Sequence, residues 1–393
     1  MLFMKNFILF FFLLVALTQV SAQEKEHNYS LNGYITNMQS LMFDSLKGNW
    51  TNDNLICNRL NFSWFPNNIF TVNVGIRTRV FTGESVKYIP GYADFISKDK
   101  GIIDLNTNLV SEKSVIVNSQ IDRAYLSFEK DNWNIITGRQ RINWGRSFVW
   151  NPNDIFNSYS FFDFDYPEKP GSDALRIQYY TGAASSVDIA AAVDSSKKIS
   201  VGGIYRFNIA SYDFQVLGGI ISEQDYVIGS GWEGAIKNIS LRGEFSYLHP
   251  KENFADTSGL FIADVSTDYT FRNSLSLRFE FLYNQQPTSG GISSFEEYYY
   301  RPLSVKNLSF TEYNLFGSIT YPITPLLNLT LSGMYYPKIS GYFIGPSFSY
   351  SLSDNADFSL VTQTFGGKLQ NRLTGNSEFK SITFAFLRFK YNF

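Results

Sequence analysis

Apolar residues recur at every second position along most of this chain, and this period limits what the chain can fold into. In the stretch LSLRFEF at 275–281, leucine and phenylalanine alternate with serine, arginine and glutamate. Alternation of this kind places apolar side chains on one face of an extended strand and polar ones on the other. The chain also holds 37 Phe and 25 Tyr, residue types that strands favour. The sequence therefore predicts an all-β protein.

The alternating segments number eighteen, from 29–42 to 380–393, and their links differ on the two sides. One side has short links such as KDN at 130–132, and the other has the long links 43–57, 83–114, 142–172, 286–308 and 366–379. Many strands with short turns at one end and long loops at the other are typical of a transmembrane antiparallel β-barrel, with periplasmic turns and extracellular loops. Segment 58–65 is weak, so a barrel of sixteen strands is the alternative.

The N-terminus has the pattern of a signal peptide. Lys5 precedes an apolar run at 7–17, and VSA at 20–22 supplies small residues for cleavage. The run is shorter than the about 20 apolar residues that a spanning helix needs. We therefore expect a signal peptide at 1–22 and one barrel domain at 23–393.

Charge and cysteine content narrow the range of partners. Removing 1–22 takes away one lysine and no acid, so the formal net charge moves from −2 to −3. A nucleic-acid-binding protein would show a basic excess, so we expect no nucleic-acid partner. Cys57 is the only cysteine, which excludes an intramolecular disulfide. No cofactor or metal is expected.

The final segment, SITFAFLRFKYNF, has an aromatic face that ends the chain at Phe389, Tyr391 and Phe393. It resembles the terminal strand of Gram-negative outer-membrane barrels. The resemblance implies that these three residues form the signal that the barrel-assembly machinery recognises. It also implies a place in the outer membrane, with lipid and lipopolysaccharide around the wall.

The polar faces of the predicted strands indicate a divided lumen. A barrel of this size is too wide to be filled by strand side chains, so a water-filled lumen is expected. One side is basic, with Arg77, Arg79, Arg123 and Arg176 expected to line the pore. The opposite wall holds most of the acids: Asp188, Asp213, Glu233, Glu244, Asp264, Asp268, Glu280 and Glu312. Rings of charged side chains set pore selectivity, although arginines that only balance buried acids would give the same pattern.

Alternation stops within TGRQRINWGRSFVWNPNDIF at 137–156, where the third extracellular loop begins. Its charged side chains extend the basic side, and its tryptophans are expected to anchor the loop by packing rather than to stack on a solute. The residues assigned to the constriction are Arg139, Arg141, Arg146 and Asp154, and the loop anchors are Trp144 and Trp150.

Three pieces of this segment, GRQ at 138–140, WG at 144–145 and NPND at 151–154, carry a resemblance to known proteins. They are similar to a segment of the phosphate-selective-porin-like proteins and related porins. The resemblance implies a non-enzymatic channel for passive diffusion of small polar, including anionic, solutes, with loop 142–172 folded into the lumen. A homotrimer is the assembly found in many porins. Lys390 is the one lysine on a predicted lumen face, so the lysine-rich ladder of a phosphate channel is missing.

Other functions have less support. The only histidines are His27 and His249, and neither has the neighbours of a nucleophilic hydrolase. A transporter with a plug would need an N-terminal domain before the first strand, where the predicted signal peptide leaves no room. A barrel that binds or assembles surface polysaccharide is the alternative that stays open, because the aromatic stretch SFEEYYYRPL at 294–303 could stack on sugar rings.

Overall fold

The computed structural model describes residues 28–48, 50–285, 304–370 and 376–393, and these form one antiparallel sheet that closes on itself. Its strands are β1 Tyr29–Phe43, β2 Trp50–Trp64, β3 Phe70–Gly83, β4 Asn106–Glu112, β5 Val115–Lys130, β6 Trp133–Gln140, β7 Ser172–Gly182, β8 Ser185–Val193, β9 Ile199–Ile209, β10 Tyr212–Ile221, β11 Asp225–Ile236, β12 Ile239–Pro250, β13 Leu260–Thr270, β14 Ser276–Asn284, β15 Tyr313–Thr324, β16 Leu327–Tyr336, β17 Gly341–Ser353, β18 Ala356–Gln370 and β19 Ser377–Asn392.

The barrel closes where the first and last strands meet. β1 pairs with β2 on one edge and with β19 on the other, in a register that places Ile35 opposite Tyr391. At the end of this seam, the Gly33 and Phe393 backbones exchange two hydrogen bonds of 2.9 Å. Closure pairs the first and last strands with each other, which is what a sheet needs in hydrocarbon, where water cannot satisfy backbone groups.

Eighteen of the strands make the full wall, as the sequence predicts, and β4 is an addition from the second extracellular loop. One edge of β5 pairs with β3 along its length, and its other edge is divided between β6 and β4. β6 covers the half from Ala124 to Lys130, and β4 covers Val115 to Gln120. β4 therefore completes the wall where β6 ends early, at Gln140. The sequence interpretation placed these residues in the 83–114 loop, because seven residues give too little alternation to recognise.

Two predicted loops are largely strand. β2 begins at Trp50 rather than at residue 58, which shortens the link predicted at 43–57. β18 and β19 likewise cover most of the link predicted at 366–379. The link predicted at 286–308 lies mostly outside the described residues, as do the predicted signal peptide and the stretch at 294–303.

Helices are few and short. α1 (Glu84–Tyr88) and α2 (Tyr92–Ser97) lie between β3 and β4, and two 3-10 turns occupy Val305–Asn307 and Pro337–Ile339. Across the ranges that the structure describes, no helix combines the length and the apolar character needed to cross a membrane.

The outer face of the wall is apolar on most strands. Phe279 and Phe281 on β14, and Leu329 and Leu331 on β16, are all exposed although they are large and apolar. An exposed band of this kind is what lipid tails cover. The inward positions between them carry polar side chains or pack against the link between β6 and β7.

The seam gives a first testable prediction. Removal of Phe393 deletes both hydrogen bonds to Gly33 and the last side chain of the aromatic face. We expect the truncated chain to yield several-fold less heat-modifiable folded barrel in outer-membrane fractions. Truncation effects on expression are controlled by Phe379→Ala, which changes an exposed aromatic residue at the other end of β19. A normal folded fraction after removal of Phe393 would contradict the prediction.

Candidate functional site

The link between β6 and β7, residues 141–171, crosses the inside of the barrel; we call it the inward loop. Its side chains and backbone contact strands from every sector of the wall. On one side it contacts Asp188 of β8 and Glu244 of β12, and on the other Phe343 of β17 and Phe386 of β19. A segment that reaches strands this far apart around the barrel must lie in the lumen.

Two carboxylates of the wall hold the first half of this loop by its backbone. Glu280 of β14 accepts the N–H groups of Phe148 at 3.1 Å, Val149 at 3.0 Å and Trp150 at 2.7 Å. Backbone N–H groups that lie away from water cost free energy unless they are hydrogen-bonded, and this side chain satisfies three of them. Glu280 is 3 % exposed, so its bonds are also shielded from water.

Glu244 of β12 acts in the same way on the residues around this stretch. Its carboxylate accepts the N–H groups of Arg146, of Ser147 at 3.0 Å and of Asn153 at 3.0 Å. Together the two glutamates satisfy six backbone donors of a loop that lies away from bulk water. Sequence reasoning placed both acids on an acidic wall, and it missed this role because the partners are backbone groups far away in the chain.

The two tryptophans lie in the interior, where they pack. Trp144 is 1 % exposed, its Nε1–H donates to Asp188 at 3.0 Å, and its ring meets Phe156 edge-on at 5.0 Å between centroids. Trp150 is also buried within the apolar cluster. Both rings are buried among their neighbours, and neither is free to stack on a solute.

The second half of the loop carries an aromatic block of Phe161, Phe162 and Phe164. Phe162 packs on Phe343 and Phe365 at centroid distances of 5.0 and 4.9 Å. The other two rings meet Phe316 and Phe386 at 5.2 and 5.1 Å. An apolar core therefore fills the β15–β19 side of the lumen, and the sequence interpretation assigned no role to these rings.

The arginines expected to form a basic side are mostly paired with acids. Arg77 is 6 % exposed, lies 3.4 Å from Asp165 of the inward loop and has the Tyr166 ring 4.3 Å away. Arg123 donates to the carbonyls of Glu168 and Lys169 at 2.5 and 2.8 Å. These two arginines bind the end of the loop to the wall rather than facing open water.

The position of Arg139 differs most clearly from the prediction. Its guanidinium contacts Asp99 of the second loop at 2.7 Å and Asp173 of β7 at 2.6 Å, and it donates to the Ile103 carbonyl at 2.6 Å. It is 4 % exposed. Because its donors are occupied by the second loop and β7, the structure places it within the wall and not in the constriction.

The remaining predicted arginines lie at the inner surface. Arg176 contacts Asp188 at 2.6 Å, and Arg141 contacts Asp154 at 3.1 Å. Arg79 donates to Asn118 at 2.7 Å and has no carboxylate partner among the described residues. Arg146 extends towards β11, where its Nη1 lies 3.0 Å from Glu233.

Four charged side chains, one from the loop and three from the adjoining wall, reach solvent together. They are Arg146, Glu233, Arg242 and Asp268, and we call them the rim cluster. Arg242 bridges the two acids at 2.7 Å to Glu233 and 3.1 Å to Asp268. The side-chain exposures are 16 % for both arginines, 36 % for Glu233 and 22 % for Asp268. These groups can therefore meet a dissolved ion or solute.

Arg278 adds a cation next to the rim cluster. Its guanidinium lies 4.8 Å from the centre of the Phe148 ring, and Arg242 lies 4.3 Å from the same ring. Arg278 is exposed and makes no ion pair within the described part of the chain. Glu280, two positions along the same strand, binds the loop backbone instead of Arg278.

The acids that neutralise the basic side were also missed. Asp122 of β5 lies 2.5 Å from Arg59 and accepts a hydrogen bond from the Tyr166 hydroxyl. A register shift between β3 and β5 skips Asp122, so it and Arg123 do not follow simple alternation. A strict period-two assignment would place such neighbours on opposite faces, which is why Asp122 was not counted.

The hydrogen bonds that Glu280 accepts from the loop backbone can be tested directly. Glu280→Leu removes the acceptor of three backbone donors, so the amides of Phe148, Val149 and Trp150 should exchange with deuterium at least tenfold faster. Hydrogen-exchange mass spectrometry on the folded barrel measures this. Glu129→Gln, at the exposed end of β5, is the control and should change nothing. Unchanged protection in Glu280→Leu would show that the aromatic block alone holds the loop.

Asp154 gives a prediction that depends on pH. Burial raises the pKa of this loop carboxyl from 3.8 to about 6, although Arg141 opposes the shift. A group whose pKa is raised in the folded state contributes stability below its unfolded pKa and loses it as the pH rises through about 6. Asp154→Asn should therefore raise the free energy of unfolding by about 1–3 kcal/mol at about pH 7 and hardly at all at about pH 4. Urea unfolding of vesicle-inserted barrels measures it.

The matched control for Asp154 is Asp163→Asn, which changes an exposed acid of the same loop. This substitution should leave the free energy of unfolding unchanged at both pH values. A gain in Asp154→Asn that is equal at both pH values would contradict the assignment to the carboxyl of Asp154.

Comparison with known proteins finds similarity in structure but not in sequence. No protein-family model matches the chain, and no curated protein does. Among solved structures, OccAB2 and OccAB3 of Acinetobacter baumannii align with a TM-score of 0.59, at 10 % and 8 % identity. The alignments cover 93 % of this chain and 98 % and 99 % of those chains. OccK11 of Pseudomonas aeruginosa aligns at 0.56 and 9 % identity, covering 95 % of this chain and all of that one. These are outer-membrane porins, and the chain has their closed-barrel fold.

Proposed function

We propose that this protein is an outer-membrane channel for passive diffusion of small polar solutes, including anions, past the inward loop. The observation that carries the proposal is the rim cluster, in which four charged side chains inside a closed barrel reach solvent. Charged groups in such a barrel are tolerable where they face water, since a charge on the lipid side would be costly. The likeness of the fold to outer-membrane porins supports the location.

The exposed arginines beside the loop would attract anions. Arg146, Arg242 and Arg278 lie beside Glu233 and Asp268, and Asp213 is paired opposite Glu233, so the charges are close to balance and the preference would come from Arg278, which has no ion-pair partner among the described residues. Arginine keeps its charge at every accessible pH and presents a planar fork that suits carboxylate and phosphate groups. A small solute with such a group would gain from passing here, while the paired arginines elsewhere would interact with it less.

The inward loop would act as a fixed partition rather than a moving gate. Six backbone donors bound to Glu244 and Glu280 hold one half, and the aromatic block holds the other. Conduction would then follow the space left beside the loop. Because the loop is held from both sides, we expect steady conductance levels with little voltage gating.

Ion selectivity in planar bilayers tests the proposal. Arg146→Ala and Arg278→Ala each remove a charge near the rim cluster and should shift the reversal potential in a salt gradient towards cation selectivity. Arg139→Ala, which changes an arginine buried within the wall, is the matched control and should leave the reversal potential of correctly folded barrels unchanged. Equal reversal potentials in Arg146→Ala, Arg278→Ala and the unmutated protein would contradict a role for these arginines.

One observation favours a second candidate, a sealed barrel that binds or assembles surface polysaccharide. The apolar core between the inward loop and β15–β19 fills much of the interior. In that case the barrel would insert into bilayers without passing ions. Defined conductance steps support the channel, and insertion with no conductance supports the sealed barrel.

A further inference from the structure

One phenylalanine in the first half of the inward loop stays partly accessible to solvent. Phe148 lies between Ser147 and Val149, which are both buried, yet its own side chain is only half-buried. The ring packs against the apolar cluster on the inside of the loop. Its place is fixed by the main chain, because Glu280 accepts the Phe148 N–H at 3.1 Å. The loop therefore presents one aromatic ring to the charged side chains of the wall.

Two guanidinium groups lie over this ring. Arg242 of β12 is 4.3 Å from the ring centre, and Arg278 of β14 is 4.8 Å from it. The face of an aromatic ring is negative and attracts cations. Two like charges that share one ring also repel each other, and the attraction of the ring opposes that repulsion. Phe148 therefore holds together two arginines that would otherwise move apart.

The two arginines differ in what else holds them. Arg242 also lies 2.7 Å from Glu233 and 3.1 Å from Asp268. Arg278 is exposed and makes no ion pair and no side-chain hydrogen bond with the residues that the structure describes. The Phe148 ring is therefore the contact that orients the guanidinium of Arg278.

A contact with a ring face leaves the hydrogen-bond donors of a guanidinium free. The N–H groups lie at the edge of the planar group, whereas the ring meets its face. In Arg77, Arg123 and Arg139 the donors are instead taken by carboxylates or carbonyls. Arg278 is thus held in one place while its donors remain available to a solute.

We infer that Phe148 is a positioning residue that holds Arg278 as the binding site for the carboxylate of a small passing solute. This inference rests on the proposed channel function. A guanidinium that is already oriented loses less side-chain freedom when it binds than a free one does, so it binds more tightly. Its planar fork matches the two oxygens of a carboxylate.

The charges beside Arg278 limit the solute to a singly charged anion. Arg242 faces Glu233 and Asp268, so its charge is already balanced. One unpaired cation then faces the solute, with two acids close by. A doubly charged phosphate would meet too little positive charge there, whereas a monocarboxylate would be matched.

Planar bilayers with gradients of sodium acetate and of sodium chloride test this inference. Phe148→Leu removes the ring but keeps an apolar side chain and the N–H that Glu280 accepts. It should lower the acetate-to-sodium permeability ratio about two- to fivefold, the factor that an exposed cation–π contact contributes. The chloride ratio should fall less, because chloride does not need an oriented fork. Phe148→Tyr keeps a ring and should behave like the unmutated protein.

Tyr159→Leu is the matched control. Its ring also lies near an arginine, Arg141 at 5.0 Å, but Arg141 is paired with Asp154. The acetate ratio should therefore stay unchanged in this variant. Hydrogen exchange of the amides at 148–150 should stay slow in Phe148→Leu, because Glu280 still binds the loop. Faster exchange there would attribute the change in selectivity to a displaced loop and would overturn the inference.

The inference and the channel proposal fail in different ways. A shift of the reversal potential in Arg278→Ala but not in Phe148→Leu would show that Phe148 does not position Arg278, and the channel proposal would stand. A loss of selectivity in Phe148→Tyr as large as in Phe148→Leu would show the same. Equal falls of the acetate and chloride ratios would overturn the assignment to carboxylates. A barrel that passes no ions would overturn the inference and the channel proposal together.

Discussion

Two buried glutamates determine how the rest of the interior is arranged. Glu244 and Glu280 accept six backbone N–H groups, and a loop held in this way cannot leave the lumen without breaking all six hydrogen bonds. With the loop fixed, Trp144 meets Asp188, the aromatic block meets β15–β19, and Asp165 meets Arg77. In the proposed channel, solutes would pass through the space beside the rim cluster.

This arrangement changes the meaning of the charges in the barrel. Most inward arginines and acids bind a neighbour or the loop, so they stabilise the interior rather than attract solutes. The charged groups that reach solvent beside the loop are few and close to balance. In such a channel, a few exposed groups such as Arg278 would set the ion selectivity. The inward loop would set the cross-section of the pore.

Alternation was enough to predict the closed wall of eighteen strands, because lipid and lumen demand opposite side chains at each step. Alternation did not predict the structure where the two faces of a strand carry similar side chains. The predicted β2 was too short because Asn52 and Asn54 alternate with other polar residues and remove the contrast between the two faces. Asp122 was missed because a bulge breaks the period. The role of Glu280 could not be predicted, since its partners are backbone groups 130–132 residues away.

The central claim is that the inward loop, and not the wall, limits the pore. Single-channel conductance tests it most directly, with residues 156–168 replaced by a short Gly–Ser linker that keeps the residues bound to Glu244 and Glu280. The account predicts defined steps for the unmutated barrel and steps several-fold larger for the trimmed one. The same step size in both proteins, or no conductance from either, would contradict it.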